Sequence, residues 1–223
     1  NNSNLKNIFV DGKLDGIITL FPYFNFNLDV DLNSINFTKL YNYFLSLDKD
    51  EKLNFFNINK KINGKLNLYS KKVYSNTNLV KSFESRIKFS NGDIIIDQFL
   101  INLGKLGAAD LLGSINSDKK YTNLRFESNI FVDNQKKFLS KFGIYNEESI
   151  SPNLFVSGNF DLENLKSSFY EISGKEEFSN EDINFIEQEF NDYMFEDSYK
   201  SLFKFSEFKK FIKSISNEKN WFN

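Results

Sequence analysis

The stretch FNFNLDVDLNSINFTKLYNYFLSL, residues 24–47, decides the fold. Phe24, Phe26, Leu28, Val30 and Leu32 alternate with Asn25, Asn27, Asp29 and Asp31. Side chains along a strand point to opposite faces in turn, so this segment reads as a strand with one apolar and one wet side. The period then lengthens. Phe37, Leu40, Tyr41, Phe44 and Leu45 recur at three- and four-residue steps, the spacing of a short amphipathic helix. What lies against the apolar side is the question: a core of the chain's own making, or a molecule it picks up.

Working outward, strands dominate the first two thirds. FVDGKLDGIITLF (9–21) reads as a strand, a glycine-marked bend and another strand, and DKDEKLN (48–54) as a loop. INGKLNLYS (62–70) puts Ile62, Gly64, Leu66 and Leu68 on one face. LVKSFESRIKF (79–89) carries Leu79, Phe83, Ile87 and Phe89 in odd register, and Asn91-Gly92 then signals a two-residue hairpin. The return strand, DIIIDQFLINLG, is apolar enough near its start for burial on both faces. A further hairpin is expected at GKLGAADLLGSINSD, and TNLRFESNIFV aligns Leu124, Phe126, Ile130 and Val132.

A second short helix is expected at DNQKKFLSKFG (133–143), with Phe138, Leu139 and Phe142 on one side and Gly143 as its stop. SPNLFVSGNFDL restarts the strand pattern at Leu154, Val156 and Phe160, and Leu165 to Ile172 is read as strand rather than helix. From about Ser179 the pattern becomes helical. Ile183, Ile186, Phe190, Tyr193 and Met194 form one stripe, and Phe208, Phe211, Ile212 and Ile215 form another from Ser206. The expected fold is α+β, mainly β: a curved antiparallel sheet with short interspersed helices over residues 1–175, and a helical segment, 176–223, packing on the sheet or its end.

Composition removes several chemistries. The chain has 223 residues, enough to bury a real core, and Lys+Arg 28 against Asp+Glu 30 exerts no overall pull on nucleic acid. Phe 27 beside abundant Asn, Lys and Ile fits AT-rich coding as simply as it fits a function. His 0 and Cys 0 exclude Ser-His and Cys-His catalysis, thiol redox work and His- or Cys-ligated metal within this chain. No apolar run reaches the roughly 18 residues of a membrane helix. The opening NNSNLKNIFV, without Met or an apolar signal region, reads as a fragment whose anchor or export signal would lie upstream.

The remaining motifs have plain readings. Asp29 and Asp31 share a strand face, with Asp15 expected nearby, but nothing around them resembles a calcium loop. Gly104, Gly107 and Gly113 lack the spacing of a dinucleotide or phosphate loop and read as turn and bulge residues. Lys60-Lys61, Lys71-Lys72, Lys119-Lys120 and Lys136-Lys137 read as edge protection, or as contacts to anionic lipid headgroups at a groove mouth. What is left is the apolar sheet face, either an ordinary core under helices or a concave face partly open to acyl chains. Nine strand residues span about 30 Å, longer than a typical acyl chain.

The strand and helix of FNFNLDVDLNSINFTKLYNYF, followed by the unit INGKLNLYSKKVYSNTNLVKSFESRIKFSNGDIIIDQFLINLGKLGAADLLGSINSD, resemble AsmA-like proteins in the order of their elements, over about Phe9 to Phe160. The C-terminal helices fall outside that pattern. The resemblance implies a non-enzymatic, periplasm-facing module held to the inner membrane by an N-terminal helix, related to TamB and to bridge-like lipid transfer proteins. It implies phospholipid as ligand, possible outer-membrane assembly partners, no nucleic acid, and no catalytic residue, cofactor or metal. The groove-lining candidates are Phe24, Phe26, Leu28, Val30, Leu66, Leu68, Phe83, Ile87, Phe89, Phe99, Ile101, Leu124, Phe126 and Ile130, with Leu32 and Leu103 beside them. The rival expectations are an interaction scaffold for outer-membrane assembly whose sheet is plugged by its own helices, and a carboxylate-based glycan hydrolase for which no pair is nominated.

Overall fold

The computed structural model describes residues 3–54, 56–116, 122–145, 153–175, 177–195 and 204–218. Its strands are β1 (Ser3–Lys6), β2 (Val10–Thr19), β3 (Phe24–Asn36), β4 (Ile62–Ser70), β5 (Val73–Tyr74), β6 (Ser82–Ser90), β7 (Asp93–Asn102), β8 (Gly107–Ile115), β9 (Asn123–Val132), β10 (Asn153–Asp161) and β11 (Lys166–Ser173). All join one curved, unclosed sheet of 11 strands in the order β1-β2-β3-β4-β6-β7-β8-β9-β10-β11, with β5 paired to β3. The fold is therefore α+β and mainly β.

Neighbours are antiparallel except where β3 pairs in parallel with β4 and β5. A parallel pair cannot be joined by a tight turn. Here α1 (Phe37–Ser46) and α2 (Lys49–Asn54) make the return. Asn36 caps α1 by accepting from the Lys39 amide at 2.9 Å. α2 occupies the segment expected to be a loop. Asp48 and Glu51 hold it with reciprocal bonds, the Asp48 amide to Glu51 Oε2 at 3.0 Å and the Glu51 amide to Asp48 Oδ1 at 2.8 Å. That is a capping box, and its D-x-x-E spacing stands in the sequence.

The bend expected within residues 9–21 is absent, and β2 runs unbroken through Gly12 and Gly16. Each glycine instead lets the backbone of β3 come close: a Cβ at Gly16 would lie 2.1 Å from the Asn27 carbonyl oxygen. The Asn91-Gly92 hairpin forms as expected, both residues having positive φ (54° and 91°), as a two-residue turn of the primed type requires. α3 (Gln135–Lys141) ends at Phe142, followed by Gly143 at φ 72°. Phe142 is fully buried, its ring 5.1 Å from Phe138 and 5.6 Å from both Phe205 and Phe208. This cluster ties α3 to α5 (Phe205–Glu218).

Two buried clusters sit at opposite ends of the sheet. Leu32, Ile35 and Val73 form one where β3 meets β5, with Phe37 of α1 packed against it. The other holds Ile172 of β11 against Ile183 and Ile186 of α4 (Asn180–Phe195) and Phe211 and Ile215 of α5. Both expected C-terminal helices are thus present. No helix among the described residues is long and apolar enough to cross a membrane.

Candidate functional site

The register assembles a single apolar face across nine strands. One transverse row runs Leu14, Val30, Leu68, Ser85, Phe99, Leu111, Ser128, Val156, Ile172. The next runs Gly16, Leu28, Leu66, Ile87, Ile96, Gly113, Phe126, Gly158, Phe169. A third runs Ile18, Phe26, Gly64, Phe89, Ile94, Ile115, Leu124, Phe160, Ser167. Above the first lie Gly12, Leu32, Ser70, Phe83, Ile101, Ala109, Ile130 and Leu154. Eight inter-strand steps make the face about 38 Å wide, and six residues along a strand make it about 20 Å deep.

All the candidates named from alternation within single strands share this one face, Phe24 at its lower rim opposite Ile62. Leu32 belongs to the buried cluster at the β3–β5 end, and Leu103 is buried just beyond β7. Alternation missed Ile18, Ile94, Ile96, Leu111 and Ile115, which the register adds.

Three bulges keep the face continuous. Asn33, Asp97 and Tyr170 each have no partner in the neighbouring strand, and all three are exposed. Each extra residue returns the next apolar side chain (Ile35, Phe99 or Ile172) to the face it would otherwise have left. Two glycines in the rows are covered by neighbouring rings. A Cβ at Gly64 would lie 2.6 Å from Phe26 ring carbons, and one at Gly158 3.2 Å from Phe126. Phe26 lies over Gly64 and reaches Phe89 at 5.4 Å. Phe83 and Phe99, 5.5 Å apart, close over Ser85, which is 3% exposed.

Helices contact the sheet at its margins. α4 packs on β11, α1 on β5, and α3 beside the 3-10 turn at Gly104–Leu106. Between them Leu28, Leu66, Ile87, Ile96, Phe99, Leu111 and Phe126 are half-buried, neither enclosed nor free. The opposite face carries Asn25, Asn27, Asp29, Asp31, Lys65, Asn67, Arg86 and Lys88, all exposed.

The two edges of the sheet differ. On β11 the outward backbone groups are taken by α4. Asn191 Oδ1 accepts from the Ser167 amide at 2.8 Å, its Nδ2 donates to the Ser167 carbonyl at 3.0 Å, and Glu187 accepts from the Phe169 amide at 3.0 Å. At the other edge β1 pairs only with Asp11 to Leu14, so Asp15 to Thr19 of β2 have no outer strand among the described residues.

The acidic residues lie on the wet face. Asp15 and Asp29 are register partners, Asp29 accepts from Asn67 at 2.8 Å, and Asp31 pairs with Lys71 at 3.4 Å. The Gly16 amide holds the Asp15 carboxyl below its ordinary range. Glu207 is lowered by its bond to Lys210. At Asp161, burial pushes the carboxyl up but is outweighed by bonds from Asn164 and Glu163, so it too ends lowered. A hydrolase acid would need the opposite displacement. Among the described residues no cluster of three or more Asp or Glu side chains is placed to hold a metal ion.

Of the lysine pairs, Lys71 is drawn to Asp31, and Lys136 and Lys137 stand on α3. Lys119 and Lys120 lie outside the described residues. Lys72 lines a depression of 710 Å³ at the β3–β5 end of the face, together with Lys39 and Lys81. A second depression, 570 Å³, lies along α4 between Glu189 and Phe195. Comparison of the chain with family models, curated proteins and solved structures finds no match.

Proposed function

We propose that this chain is a non-enzymatic lipid-handling module that holds phospholipid acyl chains on the apolar face of its sheet. The observation that carries the reading is the continuity of that face: rows of apolar side chains, interrupted by glycines and a few serines, run across nine strands, and the described helices pack chiefly at its two ends, α4 and α5 over β10 and β11 and α1 at β5. Its side chains are less exposed than those of the wet face, although among the described residues the helices pack mainly at its ends.

An acyl chain of a dozen or so CH₂ groups gains about 10 kcal/mol gross at roughly 0.8 kcal/mol each. Immobilisation takes back several kcal/mol. The balance holds a lipid and still lets it slide, and rows whose only polar side chains are small serines suit sliding better than trapping. In this proposal the module works in the periplasm between inner and outer membranes, as the resemblance to AsmA-like proteins implies, and supports outer-membrane biogenesis.

The test is native mass spectrometry after gentle purification from a bacterial host, with solvent extraction of the ligand. Copurifying phospholipid that is lost in Phe26→Glu supports the reading. A clean apo mass, under conditions in which a known carrier keeps its lipid, refutes it in favour of an assembly scaffold.

A further inference from the structure

We infer that the end of the β2–β3 hairpin is a membrane-docking element, which seats this rim of the sheet in the headgroup region of a lipid bilayer. From Gly16 to Leu28, GIITLFPYFNFNL, the chain carries no charged side chain. The tip joining the two strands projects large side chains into solvent: Phe21 is 85% exposed, Tyr23 67% and Leu20 64%. Exposed apolar patches of this kind mark contact with a membrane or another protein.

The hairpin end is apolar on both sides. Ile17 pairs with Asn27 and so lies on the wet face, whereas Ile18 pairs with Phe26 on the apolar face, and both are exposed. Along β2 the apolar surface therefore occupies both sides of the sheet, and Leu20 to Tyr23 carry it round the tip. A partner strand or helix covers one edge or one face. A bilayer surrounds the hairpin and takes up all of it. The polar side chains within the stretch, Thr19, Asn25 and Asn27, are uncharged, and Tyr23 combines the apolar ring and polar hydroxyl that suit a membrane interface. From Ile18 to Phe21 the chain reaches at most about 10 Å at roughly 3.3 Å per residue, the depth to which interfacial elements sink.

Position also favours a lipid surface. Rings continue inward from the tip, Phe24 lying 6.0 Å from Phe26 and Phe26 5.4 Å from Phe89. A docked tip thus opens the apolar rows toward the bilayer, where an acyl chain can pass onto them. That consequence, unlike the docking itself, rests on the lipid reading above. The parallel pairing of Phe24 with Ile62 sets the exposed Lys60 and Lys61 at the same end of the sheet, at the level of anionic headgroups.

The test is flotation of the folded chain with mixed phosphatidylcholine–phosphatidylglycerol vesicles. It is repeated with L20S/F21S/Y23S, with Phe126→Glu on the apolar face, and with Tyr145→Ser, which removes an 80% exposed ring beyond α3. The tip variant is expected to bind vesicles roughly tenfold more weakly or worse, while the other two float like the native chain. F21W/W221F moves the one Trp to the tip, and brominated lipid should quench its emission. A native chain that does not float, a tip variant that floats equally well, or emission that brominated lipid leaves unchanged overturns the docking. So does a tip-dependent dimer in sedimentation without flotation, which assigns the tip to contact between copies. Tip-dependent flotation without copurifying lipid upholds the docking and refutes the lipid reading, and copurifying lipid without flotation refutes the docking alone.

Discussion

Asn191 takes the place of a neighbouring strand beside Ser167: its side-chain amide accepts from the Ser167 N–H at 2.8 Å and donates to the Ser167 carbonyl at 3.0 Å. An amide side chain has the donor and acceptor of a peptide group, so one residue of a helix closes a rung of an open sheet edge. Ser167 is fully buried, and its hydroxyl also donates to Asn191 Oδ1 at 3.0 Å. Unpaired edges recruit other chains, and here α4 prevents it.

Replacing Asn191 with leucine keeps the volume and removes these bonds. The variant is expected to lose about 2–3 kcal/mol of stability, the cost of leaving buried backbone groups unsatisfied. Guanidinium unfolding measures the loss, and light scattering should show self-association through the exposed edge. Unchanged stability and a monomeric variant would show that the edge does not depend on this residue.

The apolar face and the wet face alternate residue by residue, so single substitutions can address one without the other. Phe26→Glu and Phe126→Glu should abolish lipid retention, whereas Asn27→Glu, on the exposed side of β3, should leave it intact. Extraction of the three purified proteins, each first shown to be folded by circular dichroism, makes the comparison. Equal lipid in all three would sink the assignment of the face.

Gly64 is under Phe26. A methyl group there would sit 2.6 Å from both the ring and the carbonyl oxygen of Phe26, so Gly64→Ala must shift the backbone of β3 as well as the ring that packs on Phe89. Overpacking of this kind costs about 1–3 kcal/mol. Thermal unfolding gives the cost, and an altered Phe26 ring resonance reports the displacement. Since Phe26 itself lines the proposed lipid track, weaker lipid retention should accompany it.

Asp161 organises the turn between β10 and β11. Its Oδ1 accepts from the amides of Glu163 at 3.0 Å and Asn164 at 2.9 Å, and its Oδ2 accepts from the Asn164 side chain at 2.8 Å. The folded-state carboxyl is more acidic than the unfolded one, despite some opposing burial. Its contribution is therefore complete above the ordinary aspartate pKa of about 3.9 and is lost as pH falls through the lower folded value. The effect should be on the order of 1 kcal/mol, because the carboxylate is largely solvated. Unfolding of the native chain and of Asp161→Asn, compared from neutral pH to below pH 4, isolates it: the difference between them should shrink on acidification.

Much of this architecture is legible because strand alternation is a local property. Phe24 to Leu32 announces its apolar side within nine residues, Asn91-Gly92 its hairpin, and Ser179 to Asp182 a helix start, confirmed by a Ser179–Asp182 capping pair at 3.3 Å each way. Other elements were misread for equally local reasons. Gly12 and Gly16 looked like a bend because glycine allows one, when here it serves close approach to β3. Lys49–Asn54 looked like a loop because five of its six residues are polar, although its capping box was in plain view. The rim depression was out of reach: Lys39, Lys72 and Lys81 come from separate segments, and no spacing joins them.

By itself, then, the sequence determined which side of each strand is apolar and where most helices begin, since side-chain direction and capping depend on residues only a few positions apart. The tertiary structure alone decided that these sides belong to one face. That required the parallel return of β4 against β3, and it required the bulges at Asn33, Asp97 and Tyr170, where a three-residue apolar spacing that looks helical is corrected by one extra residue. It also decided that α4 closes the β11 edge while, among the described residues, the main helix–sheet packing falls at the ends of the face. Pairing and packing between segments distant in sequence depend on the whole chain's register, which no single segment encodes.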